Sequence, residues 1–237
     1  MPKARKASSA AAPSSPADRD GTATPAPPAT LHVTAWTLPA KQVLHRVHQD
    51  LYEADQFNPG LKGNARFSPI RDAKGDLIPT LYAAASFDTA VMESAFHDVS
   101  HAPGFKHYEK RKLEGQLHSE VQVKRELKLA DLSSVPLRKL GVQRKQLIDT
   151  EMDQYPTTRR WAEAIHAQHP DIQGLSWISR QDDSARAVML FGDRMPKGAL
   201  QQVGESRSLL KDEQTYLQLL NLADRIGVDI VSGKGTP

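Results

Sequence analysis

Residues 81–93 read Leu-Tyr-Ala-Ala-Ala-Ser-Phe-Asp-Thr-Ala-Val-Met-Glu, and they carry the most information about the fold. The first part, Leu81–Ala84, predicts a short strand that bears Tyr82. Residues typical of a helix cap follow, so we expect a helix over Asp88–Val99. Glu93 would then lie near the start of that helix, directly after the strand.

The predicted helix has an apolar stripe that places Glu93 at the edge of the core. Met92, Phe96 and Val99 recur at the spacing of one helix face. The simplest interpretation of Glu93 is a carboxylate that complements the positive end of the helix dipole. A partly buried carboxylate beside an arginine would also remain ionised and be available for chemistry.

The rest of the sequence mixes strands and helices without a regular alternation. We therefore predict an α+β fold, with mixed or antiparallel central sheets and flanking helices, rather than a doubly wound parallel sheet. Neither GxGxxG nor GxxxxGK[ST] occurs, so side chains would have to hold any dinucleotide. Further predicted strands are Leu44–Val47, Ala65–Phe67, one or two within 115–132, 174–179 and Ala187–Phe191; further predicted helices begin at Thr157 or Thr158 and at about Asp212.

Composition separates one predicted domain from two tails. Residues 1–30 are rich in Ala, Ser and Pro without apolar periodicity, which predicts a disordered N-terminal tail. Residues 31–231 are predicted to form a single domain, with its core at about 40–200, and residues 232–237 a loose tail.

Charge and cysteine content exclude several classes of protein. The chain has no cysteine, which rules out disulfides and thiolate chemistry and fits a cytoplasmic protein. No apolar run approaches a membrane span, and the basic N-terminus lacks the apolar stretch of a secretory signal. Of the net charge of +3, +2 lies in the first 30 residues, so the body gives little indication of nucleic-acid binding.

Two arginines are candidate anion ligands. Arg46 lies between apolar neighbours on a predicted strand, where a structural ion pair is the ordinary explanation. Arg66 lies in the stretch Asn64–Pro69, a setting in which a guanidinium fork can bind a pyrophosphate at two points. We favour Arg66 as the main one, although an exposed loop arginine would look the same.

Tyr82 and Ser179 are candidates with equally ordinary alternatives. Tyr82 fits a half-buried sheet tyrosine, but its ring could also stack on a cationic nicotinamide. Ser179 ends the predicted strand 174–179, as many serines do. His97 and His101 have a metal-compatible spacing, but no third ligand is evident nearby. We therefore predict no metal site, and the absence of GxSxG argues against a hydrolase triad.

Taken together and in order, these segments resemble the RES-domain family, which is named for an Arg, a Glu and a Ser. Leu44–Val47 resembles the opening "yR" strand, Asn64–Phe67 the "GRW/GRF" loop and Thr80–Ala84 the "vYlA" strand. Ala90–Glu93, followed by His97, resembles the "alxE…vH" helix. Gly174–Arg180 resembles the C-terminal "dGi-x-y-S-R" segment, so the similarity covers about residues 40–200.

The chain departs from the family pattern at two places. Ala65 stands where the family usually has glycine, and Arg71–Pro79 has the character of an insertion between Arg66 and Tyr82. Both changes fall near the expected pocket, which leaves open a RES-like fold that has lost catalysis.

The resemblance implies a fold like that of ADP-ribosyltransferase toxins and an activity that consumes NAD. It implies Glu93, Arg66 and Ser179 as catalytic residues, and Arg46, Arg66, Tyr82 and Ser179 as residues that bind NAD as substrate, without a metal. It also implies the toxin of a bacterial toxin–antitoxin pair, with a small Xre-type antitoxin as partner and no direct contact with nucleic acid. Water, phosphate and a protein side chain all remain possible acceptors.

A binding module without chemistry is the rival hypothesis. A basic tail on an α+β body could dock on nucleic acid or on a protein partner. Such a module would bind DNA in a strongly salt-dependent manner and would release no nicotinamide.

Overall fold

The computed structural model describes residues 21–60 and 62–233. Its central feature is a sheet of eight strands, which are β1 (Ala35–Leu38), β2 (Val43–Gln49), β5 (Thr80–Ala84), β7 (Gln116–Val123), β8 (Leu127–Asp131), β9 (Gly174–Ile178), β10 (Arg186–Phe191) and β11 (Leu200–Ser208). Two small sheets accompany it, formed by β3 (Ile70–Arg71) with β4 (Leu77–Ile78), and by β6 (Lys106–Glu109) with β12 (Val228–Val231).

The strand order across the large sheet is β1-β8-β9-β10-β5-β2-β7-β11. β8 and β9 run parallel to each other, and the other neighbouring pairs are antiparallel. β5 lies in the middle, between β10 and β2, so Tyr82 and the start of the following helix are held at the centre of the sheet.

Within the described residues, five helices flank the sheet: α1 (Phe87–Met92), α2 (Ser134–Leu140), α3 (Arg144–Leu147), α4 (Tyr155–Gln168) and α5 (Glu213–Arg225). Short 3-10 turns occur at Lys110–Leu113, Met152–Gln154 and Gly192–Arg194. α4 carries Pro156 in its first turn, where the missing N–H costs no helix bond. Its buried face includes Trp161 and Ile165, as predicted, although the helix begins two or three residues before the predicted cap at Thr157 or Thr158.

The two faces of the large sheet have different cores. One face contributes Leu44, Leu81, Val121 and Val188, which cluster together with residues from both ends of the sheet. The side chains of the other face pack against helices and loops, and this face also lines the cavity described below. The α+β prediction is therefore confirmed as a large curled mixed sheet with flanking helices, whereas the likeness to ADP-ribosyltransferases stays a prediction.

The predicted helix Asp88–Val99 is wrong in its length. α1 ends at Met92, and turns continue to Asp98. The hydroxyl of Ser94 donates to the carbonyl of Ala90 at 2.5 Å, while the Ser94 N–H bonds the carbonyl of Val91, three residues back, instead of the Ala90 carbonyl that a continuing α-helix would use. Phe96 is nevertheless buried, so the apolar pattern marked the core correctly while the backbone left the helix.

Residues 21–30, which belong to the predicted N-terminal tail, form hydrogen bonds with the domain. Thr24 hydrogen-bonds Gln154 through its N–H and the Gln146 carbonyl through its hydroxyl. The Pro25 carbonyl accepts from the Trp161 ring nitrogen at 2.7 Å. These hydrogen bonds, most of them to main-chain groups of the segment, hold it against the domain. The apolar content of the segment itself gives no indication of them. Residues 1–20 and 234–237 lie outside the described residues.

One strand prediction also needs correction, and the first strand of the sheet was not predicted. Ala65–Phe67 is a tight turn, closed by the Ala65 N–H and the Ser68 carbonyl, rather than a strand. The first strand of the sheet is β1, which precedes the strand at Leu44–Val47. The segment that looked inserted, Arg71–Pro79, forms most of the β3–β4 hairpin. No helix in the described ranges is long and apolar enough to cross a bilayer.

Candidate active site

A cavity of about 290 Å³ opens on the helix-covered face of the sheet, where β5 meets β2 and β10. Glu93, Arg66 and Tyr82 all line it. The remaining lining residues are His45, Val47, Asn64, Ala65, Ala83, Ala84, Ala90, Ser94, His97, Asp98, Met152, Tyr155, Trp177 and Ala187. The mainly apolar wall with a few convergent polar groups is typical of a small-molecule site.

Glu93 occupies the C-cap of α1, at the opposite end of the helix from the predicted position. The helix dipole does not favour a carboxylate there, because the C-terminal end carries partial negative charge. The side chain is only 14% exposed. Its placement therefore depends on the partners that surround it, and the ordinary explanation by the helix dipole no longer applies.

Ser179 is one of those partners, and its hydroxyl has a fixed orientation. The fully buried Oγ donates to Oε1 of Glu93 at 2.7 Å. The same oxygen accepts from the backbone N–H groups of Gln181 and Asp182, both at 3.0 Å. Because two donors already occupy the oxygen, its single proton points at the carboxylate.

The loop that follows Ser179 is tied to the first turn of α1 and to the turns that follow this helix. The Thr89 hydroxyl donates to Oδ2 of Asp182 at 2.6 Å, and Thr89 is itself held by the N-cap Ser86. The Gln181 side chain donates to the carbonyl of His97 at 3.1 Å. These contacts hold Ser179 and Glu93 in one geometry although 86 positions separate them.

Arg66 faces Glu93 from the other side of the cavity. Its Nη1 lies 3.9 Å from Oε2 of Glu93, which is an ion pair but too long for a hydrogen bond. The side chain is 4% exposed, and its Nε and Nη2 atoms are buried without a hydrogen-bond partner. Its guanidinium carbon lies 5.9 Å from the centre of the Tyr155 ring. Buried N–H donors without acceptors are costly, and an anionic ligand would satisfy them.

The turn that carries Arg66 is fixed by side chains from elsewhere in the fold. Thr158 of α4 donates to the Arg66 carbonyl, and Nε of Arg159 donates to the Ala65 carbonyl at 3.1 Å. The hydroxyl of Tyr82 accepts from the Phe67 N–H at 3.2 Å. These contacts set the position of the Arg66 backbone before any ligand arrives.

Tyr82 presents its ring, not its hydroxyl, to the cavity. The hydroxyl is engaged by the turn at Phe67, and burial raises the pKa of Tyr82 to about 12. The ring also packs edge-on against Trp177, with centroids 6.2 Å apart. A tyrosine with so high a pKa stays neutral, so its contribution to the site is a surface for contact.

Arg46 is not brought to Glu93. Its Nη1 donates to the carbonyls of Ala54 at 2.7 Å, Gln56 at 2.8 Å and Glu53 at 3.3 Å, which ties down the loop after β2. Burial lowers the pKa of Arg46 to about 10. Arg46 lines a second cavity of about 370 Å³, which adjoins the first and shares Val47, Ala65, Tyr82 and Ser94 with it.

Three polar residues of the first cavity were not predicted to belong to it. Two of them, His45 and Tyr155, were not singled out from the sequence at all. His45 is half-buried on β2, and Tyr155 lies at the start of α4. His97, considered above as a metal ligand and as part of the family's helix motif, contacts the Tyr155 hydroxyl through Nε2 at 3.3 Å. Within 21–60 and 62–233, no group of three or more His, Asp or Glu side chains is arranged to hold a metal ion. The alternation of side chains along β2 could have identified His45, because His45 and Val47 point to the same face of the sheet and both line the cavity.

A comparison with family models places the chain in one family. The model of the RES domain matches residues 43–212, which is most of the chain and contains each predicted site residue. The chain therefore belongs to the RES-domain family, whose known activity is NAD-related. A comparison with curated proteins finds no match.

Proposed function

We propose that this protein consumes NAD by breaking the bond between nicotinamide and ribose. Family membership supports a role connected with NAD. The single observation that carries the proposal is the grouping of a shielded carboxylate, a serine that donates to it and a buried guanidinium with unpaired donors around one cavity.

Glu93 supplies the charge that this reaction needs. When the C–N bond breaks, its electron pair leaves with neutral nicotinamide, and positive charge develops on the ribose. A carboxylate preorganised in a shielded site stabilises that charge without rearrangement. The hydrogen bond from Ser179 fixes Oε1, which leaves Oε2 to face the substrate and Arg66.

Arg66 would hold the pyrophosphate of the dinucleotide. Its Nε and Nη2 are the donors that lack partners, and a phosphate oxygen would satisfy them with charge-assisted hydrogen bonds. Because these two atoms are buried, the Arg66 side chain would turn toward the cavity when the ligand enters, while its backbone stays in place. The Tyr82 ring would lie against the nicotinamide, and the second cavity would receive the remaining half of the dinucleotide.

We further propose that the protein is the toxin of a bacterial toxin–antitoxin pair. An enzyme that removes NAD stops growth unless a partner blocks it, and a small Xre-type antitoxin that covers the cavity would do so. Expression without the partner should deplete cellular NAD and arrest growth.

The direct test measures products from NAD and the purified protein, with and without phosphate. Free nicotinamide with ADP-ribose indicates hydrolysis, a phosphorylated ADP-ribose indicates phosphorolysis, and modified protein indicates transfer. Glu93→Gln should lower nicotinamide release by on the order of a hundredfold or more. It should leave the binding of ADP-ribose in place, because the cavity keeps its shape.

Glu205→Gln is the matched control, since Glu205 is exposed on β11. This variant should release nicotinamide at the wild-type rate. Near-normal release by Glu93→Gln would remove Glu93 from the mechanism. A wild-type protein that releases no nicotinamide, but binds DNA with strong salt dependence, would favour the binding module instead.

A further inference from the structure

Two histidines on neighbouring strands contact each other beside the cavity. Nδ1 of His45 lies 3.0 Å from Nε2 of His118 on the neighbouring strand β7, and the rings are nearly parallel, with an angle of 10° between them. His45 is half-buried and lines the cavity with Glu93, whereas His118 is buried and contacts the Phe87 ring edge-on. Neither histidine belongs to the Arg, Glu and Ser set.

The contact between the rings constrains their protons. Two imidazole nitrogens at hydrogen-bond distance share one proton, so one ring donates and the other accepts. Burial, with repulsion from His45, Arg207 and His48, lowers the pKa of His118 to about 4. His118 therefore stays neutral and can accept the proton of His45 Nδ1. This arrangement leaves a lone pair on His45 Nε2, for which the described residues provide no hydrogen-bond partner.

We propose that His45, positioned by His118, is the general base that activates a water molecule for attack on the ribose. This inference rests on the proposed function and identifies water as the acceptor of the ADP-ribosyl group. Water attacks the ribose carbon as the bond to nicotinamide breaks, and nicotinamide leaves with that electron pair. The water proton passes to Nε2 of His45, which later releases it to solvent, so the products are ADP-ribose, nicotinamide and one proton.

The chemistry of the pair favours water over phosphate. Water needs a base to become a good nucleophile, whereas phosphate is already an anion and would be drawn to a cation. Burial lowers the pKa of His45, against an opposing effect of Glu120, so the pair is uncharged at neutral pH and offers a base. The other charged and titratable groups around the pair are Arg207 and His48 beside His118, and Arg66, Tyr82, Glu93, His97, Asp98 and Tyr155 around the cavity.

The test is the steady-state rate of ADP-ribose formation over a range of pH. In the wild type, kcat should be constant near neutral pH and should fall on the acid side, below the ordinary imidazole pKa, as His45 takes up a proton. His45→Gln should lower kcat by on the order of a hundredfold. It should also lose the acid-side fall, while KM and ADP-ribose binding remain close to wild type. Added imidazole should restore part of the rate.

His118 is a positioning residue, and its variants separate orientation from mere structure. His118→Phe should lower kcat about tenfold and alter the acid-side fall, because the His45 ring loses its acceptor. His118→Gln should restore much of the rate, because its amide oxygen reaches the position of Nε2 and can accept from Nδ1 of His45. His107→Gln is the matched control on the exposed side of β6 and should behave as wild type.

The outcomes distinguish the two proposals. If the wild type releases no nicotinamide, both the function and the role of His45 are overturned. If the wild type is active and Glu93→Gln is not, but His45→Gln keeps its kcat and its acid-side fall, only the role of His45 is overturned. Preferential formation of a phosphorylated product when phosphate is present would overturn the assignment of water as acceptor.

Discussion

Arg46 and Arg66 are both buried, at 5% and 4% exposure, yet their guanidinium groups have opposite surroundings. Arg46 gives Nη1 to three backbone carbonyls of the loop after β2. Arg66 has one distant ion pair with Glu93, and two of its nitrogen atoms are buried without an acceptor. The Nη1 donors of Arg46 find their acceptors within the fold, whereas Nε and Nη2 of Arg66 have none among the described residues.

The comparison shows how burial alone misleads. Both residues belong to recognisable motifs, and from the sequence both were candidates to grip a pyrophosphate. A buried cation whose donors are satisfied by carbonyls stabilises a loop, whereas one with free donors beside a cavity costs stability and is suited to bind an anion. The unpaired donors therefore favour Arg66 as the residue that binds the ligand.

The largest expected effect is on stability at Arg46. Arg46→Met should lower the free energy of unfolding by about 3 kcal/mol, because buried carbonyls lose a charged donor. Urea denaturation measures this change. Arg125→Met, at an exposed turn between β7 and β8, is the matched control and should show no measurable loss. A stable Arg46→Met protein with impaired NAD cleavage would reverse the roles given to the two arginines.

The next effect is on activity at Arg66. Arg66→Met should reduce nicotinamide release by on the order of a hundredfold, because the pyrophosphate loses its charged donors. Its free energy of unfolding should fall less than that of Arg46→Met, since the variant removes two unpaired buried donors but also leaves Glu93 without its ion-pair partner. Kinetics and urea denaturation of the same preparation provide both values. If Arg66→Met loses as much stability as Arg46→Met, the contrast between them disappears.

The smallest of these effects is expected at Ser179. Ser179→Ala should lower kcat about tenfold, because one oxygen of Glu93 loses the hydrogen bond that orients it. It should also lower the free energy of unfolding by roughly 1 kcal/mol, since two backbone N–H groups lose their acceptor. Ser179→Thr, which keeps the hydroxyl, would test whether orientation is the cause. Full activity in Ser179→Ala would mean that Arg66 alone positions Glu93.

Much of the fold could be predicted because its signals are local. The strand around Tyr82, the strand before Ser179 and the helix that buries Trp161 each follow from residues close together in sequence. β11 was missed because Leu200–Ser208 is a mostly polar edge strand, held by backbone pairing with β7. α1 was predicted too long because a hydrophobic pattern does not reveal that the Ser94 N–H bonds the carbonyl three residues back rather than four.

The sequence by itself determined that this is an α+β protein of the RES-domain family and which arginine, glutamate and serine are its candidates for chemistry. Only the tertiary structure decided that Glu93 lies at the C-terminal end of α1, that Ser179 points its proton at that carboxylate, and that His45 faces the same cavity with His118 behind it. The physical reason is distance along the chain. Residue types and spacing encode local conformation, but hydrogen bonds between positions far apart exist only after the strands have paired.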